Sequence, residues 1–170
     1  DYEFTPASRL MQLHEIEAIS KIFVDLGVTK IRLTGGEPLV RKDAKEIISA
    51  LSKLPVKLTL TTNATRLHEF VDTLEQAKIR SLNISLDTLQ ADKFNLITRR
   101  DQHKLVYDNI QLMMSRGFHV KVNMVVMKGL NETEINDFVE WTKDEPVHVR
   151  FIEFMPFTGN RWTRNKVFSY

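Results

Sequence analysis

The chain has 170 residues, 42% hydrophobic and 27% charged, enough apolar material for one packed domain and too much for wholesale disorder. Its formal net charge of +2 is too small to argue for a nucleic-acid or membrane partner, so charge can act only through local placement. The absence of cysteine excludes disulfides, thiolate metal ligands and cysteine nucleophiles within these residues. No apolar run approaches the roughly 18 residues of a membrane span, and no signal peptide is visible, which points to a cytoplasmic protein. The chain starts at Asp1 rather than at a methionine and stops at Tyr170 in mid-pattern, as a piece of a longer protein would.

Residues 12–26 place Leu13, Ile16, Ile19, Phe23 and Leu26 at helical spacing, with Gly27 as the cap that follows. A short strand over 30–34 ends at Gly35-Gly36. A helix over 43–54 takes Asp43 as its N-cap. A strand over 58–62, a helix over 66–77 and a strand over 81–86 follow. Next come a helix over 105–116 closed by Gly117, a strand over 120–126, a helix over 132–143 and a last strand over 147–154. Five alternations of strand and helix predict a parallel sheet with crossover helices.

Sheets covered by helices on both faces have continuously apolar strands, and these strands alternate instead. Ile31 and Leu33 alternate with Lys30, Arg32 and Thr34; Leu58 and Leu60 with Thr59 and Thr61. Leu82, Ile84 and Leu86 alternate with Asn83, Ser85 and Asp87. Val120 and Val122 alternate with Lys121 and Asn123, Val149 and Phe151 with His148 and Arg150. The apolar phase belongs under the helices, and the polar phase lines a barrel lumen that holds a polar ligand. An antiparallel sheet with one wet face gives the same alternation. A complete barrel needs about 250 residues, so five strands here predict a partial barrel lacking at least its first strand.

Three strand ends carry candidate chemistry. Thr34-Gly35-Gly36-Glu37-Pro38 follows the first strand, and paired glycines let a backbone approach a ligand closely. The segment lacks the glycine spacing and Lys-Ser/Thr ending of nucleotide-binding loops, and alone is compatible with an ordinary turn. Thr61-Thr62-Asn63 and Ser85-Leu86-Asp87 end the next two strands, with side chains suited to ribose, phosphate or an amino-acid headgroup, or simply to turn formation. Arg32, Lys121 and Arg150, with Lys30 beside them, share the polar phase of three different strands with few acids to face them, Asp87 being one available partner. The excess points to an anion of several charges, such as a polyphosphate. His14, His68, His103 and His119 fall at helix or loop positions without metal-ligand spacing, and His148 faces the lumen with no second ligand in register. Gly159-Asn160-Arg161-Trp162 reads as a turn plus an aromatic.

KIRLTGGEPLVRKD, LTTN, LNISLDTL, VKVNMVVMKGLNE and VRFIEFMPFTGNRW, in that order and spacing, resemble the molybdenum-cofactor biosynthesis protein A family of radical-S-adenosylmethionine (radical-SAM) GTP cyclases, from about Leu13 to Trp162. TGGEP alone occurs across many radical-SAM enzymes; LTTN, NISLD and RFIEFMP together narrow the resemblance sharply. It implies a single α/β domain over residues 1–170, a partial (β/α) TIM-like barrel with five parallel strands. It also implies a lyase acting on GTP at the first step of molybdenum cofactor biosynthesis. Gly36, Ser85 and Met155 would bind S-adenosylmethionine, and Arg32, Thr61 and Lys121 would bind GTP. Lys30 and Arg150 would contact triphosphate or the cofactor carboxylate. The resemblance further implies two 4Fe-4S clusters held by cysteines upstream of Asp1 and beyond Tyr170, so that these residues by themselves bind none and are inactive. The product would pass to cyclic pyranopterin monophosphate synthase, and an open sheet edge would favour self-association, for example as a homodimer. A different radical-SAM enzyme and a noncatalytic nucleotide-binding module are the competing readings.

Overall fold

The computed structural model describes residues 9–156 and 163–168. Five strands, β1 (Lys30–Leu33), β2 (Lys57–Thr62), β3 (Ser81–Ser85), β4 (His119–Val126) and β5 (Val147–Glu153), form one sheet in the order β1-β2-β3-β4-β5. All four pairings are parallel, which removes the antiparallel alternative. Among the described residues six α-helices accompany them: α1 (Leu13–Asp25), α2 (Ala44–Leu51), α3 (Val71–Gln76), α4 (Ala91–Thr98), α5 (His103–Ser115) and α6 (Ile135–Asp144). Among the described residues no helix is long and apolar enough to cross a membrane.

The two-residue period of a strand decides where the core lies. Leu60, Leu82, Ile84, Val120, Val122 and Met124 are fully buried in one cluster with Ile48, Leu74, Ile110 and Phe138 from α2, α3, α5 and α6. Each such side chain contributes roughly 1.5–3 kcal/mol by leaving water. The helices therefore pack on the apolar phase, and the opposite phase of every strand is turned away from them.

Several elements depart from the sequence reading. The stretch 66–77 is broken into a 3-10 turn, Leu67–Glu69, and the short α3; the stretch 132–143 is likewise a 3-10 turn, Glu132–Glu134, followed by α6. Helix α4 was not anticipated: its eight residues are too few for a clear period, and it stops at Arg99 in the left-handed region rather than at a glycine. Asp43 does not cap α2 with its side chain, because its carboxylate is taken by the Arg41 guanidinium at 2.6 and 3.0 Å. In α1 only Leu13 and Ile16 reach the core; Ile19, Phe23 and Leu26 are exposed, because α1 leans on α2 beside the edge strand β1. Gly27 and Gly117 do close α1 and α5, both at positive φ where a β-carbon would be strained.

Buried polar side chains tie the loops at the carboxyl ends of the strands. The Asn131 amide donates to the carbonyls of Asp87 at 2.7 Å and Val125 at 2.9 Å and accepts from the Met127 amide at 2.7 Å. It is fully buried, so truncation strands a donor and two acceptors. Asn131→Ala is expected to lower the stability of the intact protein by about 2–4 kcal/mol, read as a shift in the urea midpoint at unchanged slope.

Candidate functional site

The site is built on the carboxyl ends of the strands and the polar phase beneath them. Beyond β1 the chain turns through Gly35 at φ +94° and Gly36 at φ +51°, with nothing within 4 Å of where a β-carbon would stand on either. The turn thus presents bare backbone to open space, and a side chain there would both strain the loop and fill that space. Glu37 anchors it: one carboxylate oxygen accepts from Thr62 Oγ1 at 2.7 Å and the Leu39 amide at 3.2 Å, the other from the Asn63 amide at 2.6 Å. Sequence reasoning gave Glu37 no role, although a carboxylate directly after paired glycines is the kind of group that can pin such a turn.

The three residues ending β2 divide their work. Thr62 and Asn63 are used by the loop, since Asn63 Oδ1 accepts from the amide and hydroxyl of Thr65. Thr61 faces the other way, half-buried and in register with Asn83. At the end of β3, Ser85 is exposed and in register with Asn123, which in turn pairs with Arg150. Asn123 Oδ1 is buried without a hydrogen-bond partner among the described residues. An unpaired buried acceptor costs free energy unless a donor arrives, which makes Asn123 a candidate that the alternation alone did not single out. A cleft of about 210 Å³ opens here, lined by Asn63, Thr65, Ser85, Asp87, Arg100 and Gln102 among others. Met155 lies two residues beyond β5, exposed, at the same end of the sheet.

Below these ends runs a stripe of cations. Lys30 stands opposite Lys57, Arg32 opposite Thr59, and Lys121 opposite His148, with Arg150 one row above. Arg32 Nε donates to Thr59 Oγ1 at 3.4 Å. No ion pair joins Lys30, Arg32, Lys57, Lys121 or Arg150 to a carboxylate among the described residues. Loss of hydration and the neighbouring Arg150, Lys30, Lys57 and Arg32 hold the Lys121 ammonium below its ordinary pKa. Lys57, absent from the sequence reading, belongs to the stripe. The residue before the apolar Leu58 occupies the same phase as Thr59 and Thr61, which is the signal that could have found it.

Asp87 does not serve the cations. Its Oδ1 accepts the Val125 amide at 2.8 Å, and burial, opposed only by that bond, pushes its carboxyl up from the ordinary range. The histidines also differ from expectation. His119 opens β4 on the polar face, not a helix or loop, with its ring centroid 4.5 Å from that of His148, whose partner in register is Lys121. His103 is half-buried between the rings of Phe94 and Tyr107 rather than on the surface. The stretch 159–162 lies outside the described residues. A larger groove, about 570 Å³, lies on the helical side between α5 and α6, lined by Tyr107, Trp141 and the carboxylates of Asp137, Glu140, Asp144 and Glu145. It collects none of the strand-end groups, so the polar face is the better candidate.

Comparison with known proteins shows which family's pattern the chain carries. The pattern of the Radical SAM superfamily matches residues 2–142. A protein of Arabidopsis thaliana named "GTP 3′,8-cyclase, mitochondrial" is 49% identical over 99% of this chain and 44% of its own length. "Molybdenum cofactor biosynthesis protein 1" of Homo sapiens is 44% identical over 98% of this chain and 27% of its own. The "GTP 3′,8-cyclase" of Listeria welshimeri is 40% identical over 94% and 49%. The chain thus spans less than half the length of these relatives. Streptococcus suis SuiB, solved bound to S-adenosylmethionine, superposes with a TM-score of 0.73 at 20% identity, over all of this chain and 38% of that one, which shows the shared partial-barrel fold.

The raised pKa of Asp87 has a consequence for pH. Its ionisation opposes folding, so its share of stability is present below the unfolded carboxylate value and is lost as pH rises through the folded value. Asp87→Asn, which keeps an acceptor for the Val125 amide, is expected to raise the melting temperature at pH 8 and leave it unchanged near pH 3. Thermal unfolding at the two pH values checks it.

Proposed function

The chain belongs to the radical SAM superfamily, and we propose that it forms the cofactor- and nucleotide-binding wall of a GTP 3′,8-cyclase acting at the first step of molybdenum cofactor biosynthesis. The observation that carries this reading is the unpaired cationic stripe running down from strand ends that present bare backbone and short polar side chains. A triphosphate is the polyanion that such a stripe fits, and the 40–49% identity to proteins named as GTP cyclases or molybdenum cofactor biosynthesis proteins supports GTP as its source.

The open space before Gly35-Gly36, the exposed Ser85 hydroxyl and the unpartnered Asn123 oxygen fit S-adenosylmethionine, with Gly36, Ser85 and Met155 holding it. When bound, that cofactor supplies the hydrogen-abstracting radical. An iron–sulfur cluster does not fit these residues: they contain no cysteine and therefore no thiolate for iron. Cluster ligands, two sets in this reading, belong to other parts of the protein, and the product goes on to cyclic pyranopterin monophosphate synthase.

What the chain's own residues do is bind and orient. Arg32 and Lys121, with Lys30 and Arg150 beside them, hold the phosphates, and Thr61 sits one row above Arg32, where the sugar enters. Glu37 keeps the Gly35-Gly36 turn fixed to the end of β2, so cofactor and nucleotide meet against a preformed edge.

A charge-assisted hydrogen bond is worth about 1.5–3 kcal/mol, and about 1.4 kcal/mol is tenfold in affinity. Arg32→Ala or Lys121→Ala in the intact protein is therefore expected to weaken GTP binding by roughly tenfold to a hundredfold. Guanosine, which has no phosphates, is expected to be nearly indifferent. Calorimetric titration decides; equal losses for the two ligands, or none for GTP, would assign these residues to the fold or to the other cofactor.

A further inference from the structure

The stripe continues past Lys121 into a pair of imidazoles. The polar face is laid out in rows two residues apart, a step of roughly 6.6 Å along a strand. Ser85, Asn123 and Arg150 form the row nearest the loops, and Thr61, Asn83, Lys121 and His148 the next. Further down, Arg32 pairs with Thr59 and Ser81 with His119, and Lys30 and Lys57 come last. On the nucleotide reading above, a sugar at the strand ends would leave the phosphates to follow these rows down toward the two rings.

The pair stands among cations. The rings meet edge to face with centroids 4.5 Å apart, both residues are exposed, and neither ring is paired with a carboxylate among the described residues. Facing His119 are Lys121 from β4, His148 and Arg150 from β5 and Lys57 from β2, while β3 brings only Ser81. Loss of hydration, then these neighbours, holds the His119 imidazole below its ordinary pKa. A polyphosphate neutralises the same neighbours and supplies an acceptor, so its arrival reverses the preference.

We propose that the His119–His148 pair receives the terminal phosphate of a nucleoside triphosphate, and that His119 takes up a proton from solvent as the contact forms. This rests on the nucleotide reading above and deepens it, giving the stripe a means of telling a triphosphate from a diphosphate. By linkage, the phosphate raises the affinity of the ring for its proton by the same factor by which the proton raises the affinity for phosphate.

The test is calorimetric titration of the intact protein with GTP and with GDP between pH 6 and 8, in buffers of differing ionisation enthalpy. Wild type is compared with His119→Gln and with His119→Gln/His148→Gln, their folding certified by far-ultraviolet spectra. With GTP, wild type is expected to take up more protons than the variants, by up to about one per nucleotide. Its advantage in affinity should grow as pH falls, by up to about tenfold per pH unit. Because the comparison is between proteins, the titration of GTP itself cancels. With GDP the proteins are expected to behave alike. Equal proton uptake and equal pH slopes with GTP, while Lys121→Ala still weakens GTP, overturn the imidazole subsite alone. Indifference of GTP to Lys121→Ala removes the nucleotide from the stripe and overturns both readings.

Discussion

Lys30 and Lys57 stand directly opposite each other across two parallel strands, and Arg32, Lys121 and Arg150 share their face without an opposing carboxylate among the described residues. Like charges in register are destabilising, so this face is held together against its own repulsion by what lies on the other side of the sheet. The same two-residue period that buries Leu60, Leu82 and Val122 under the helices turns the intervening residues away from them. The acids nearest the strand ends have other partners: Glu37 anchors the first loop and Asp87 accepts the Val125 amide. The repulsion on this face is a cost in stability that a bound anion would offset.

That cost is tolerable because the loops around the site are fastened independently of any ligand. Glu37 joins the first loop to the second, Asn109 reaches from α5 to the Ala64 carbonyl, and Asn131 laces the ends of β3 and β4 together. Glu134, buried to 1% exposure, accepts from Thr88 and the Leu89 amide and pairs with Lys93 at 2.9 Å, tying the β3 loop to the start of α6. These contacts fix backbone positions before ligands arrive, which lowers the ordering cost of binding.

Alternation was the readable part of the chain. It located all five strands within one residue, placed Arg32, Thr61, Ser85 and Lys121 on the face away from the helices, and made a one-sided helical cover necessary. What escaped were features fixed by tertiary partners. Asp43 looks like a cap until Arg41 claims it, and Asp87 looks like a counter-ion until the Val125 amide does. His119 is indistinguishable from a loop histidine until β4 is seen to begin at that residue and to lie against His148. Helix α4 is too short for a period to show, and Asn123 becomes conspicuous only when its oxygen is found without a donor.

The unpaired cations of the polar face make a polyanion its expected ligand. The most direct measurement is the melting temperature of the intact protein titrated with inorganic tripolyphosphate, against sodium chloride at matched ionic strength. A polyanion site gives a saturable rise with tripolyphosphate that adds nothing further once GTP is saturating and that Lys121→Ala shifts to higher concentration, by roughly tenfold or more, with only a shallow, unsaturable change in chloride. A response to tripolyphosphate no larger than that to chloride, or one that survives Lys121→Ala undiminished, would contradict it.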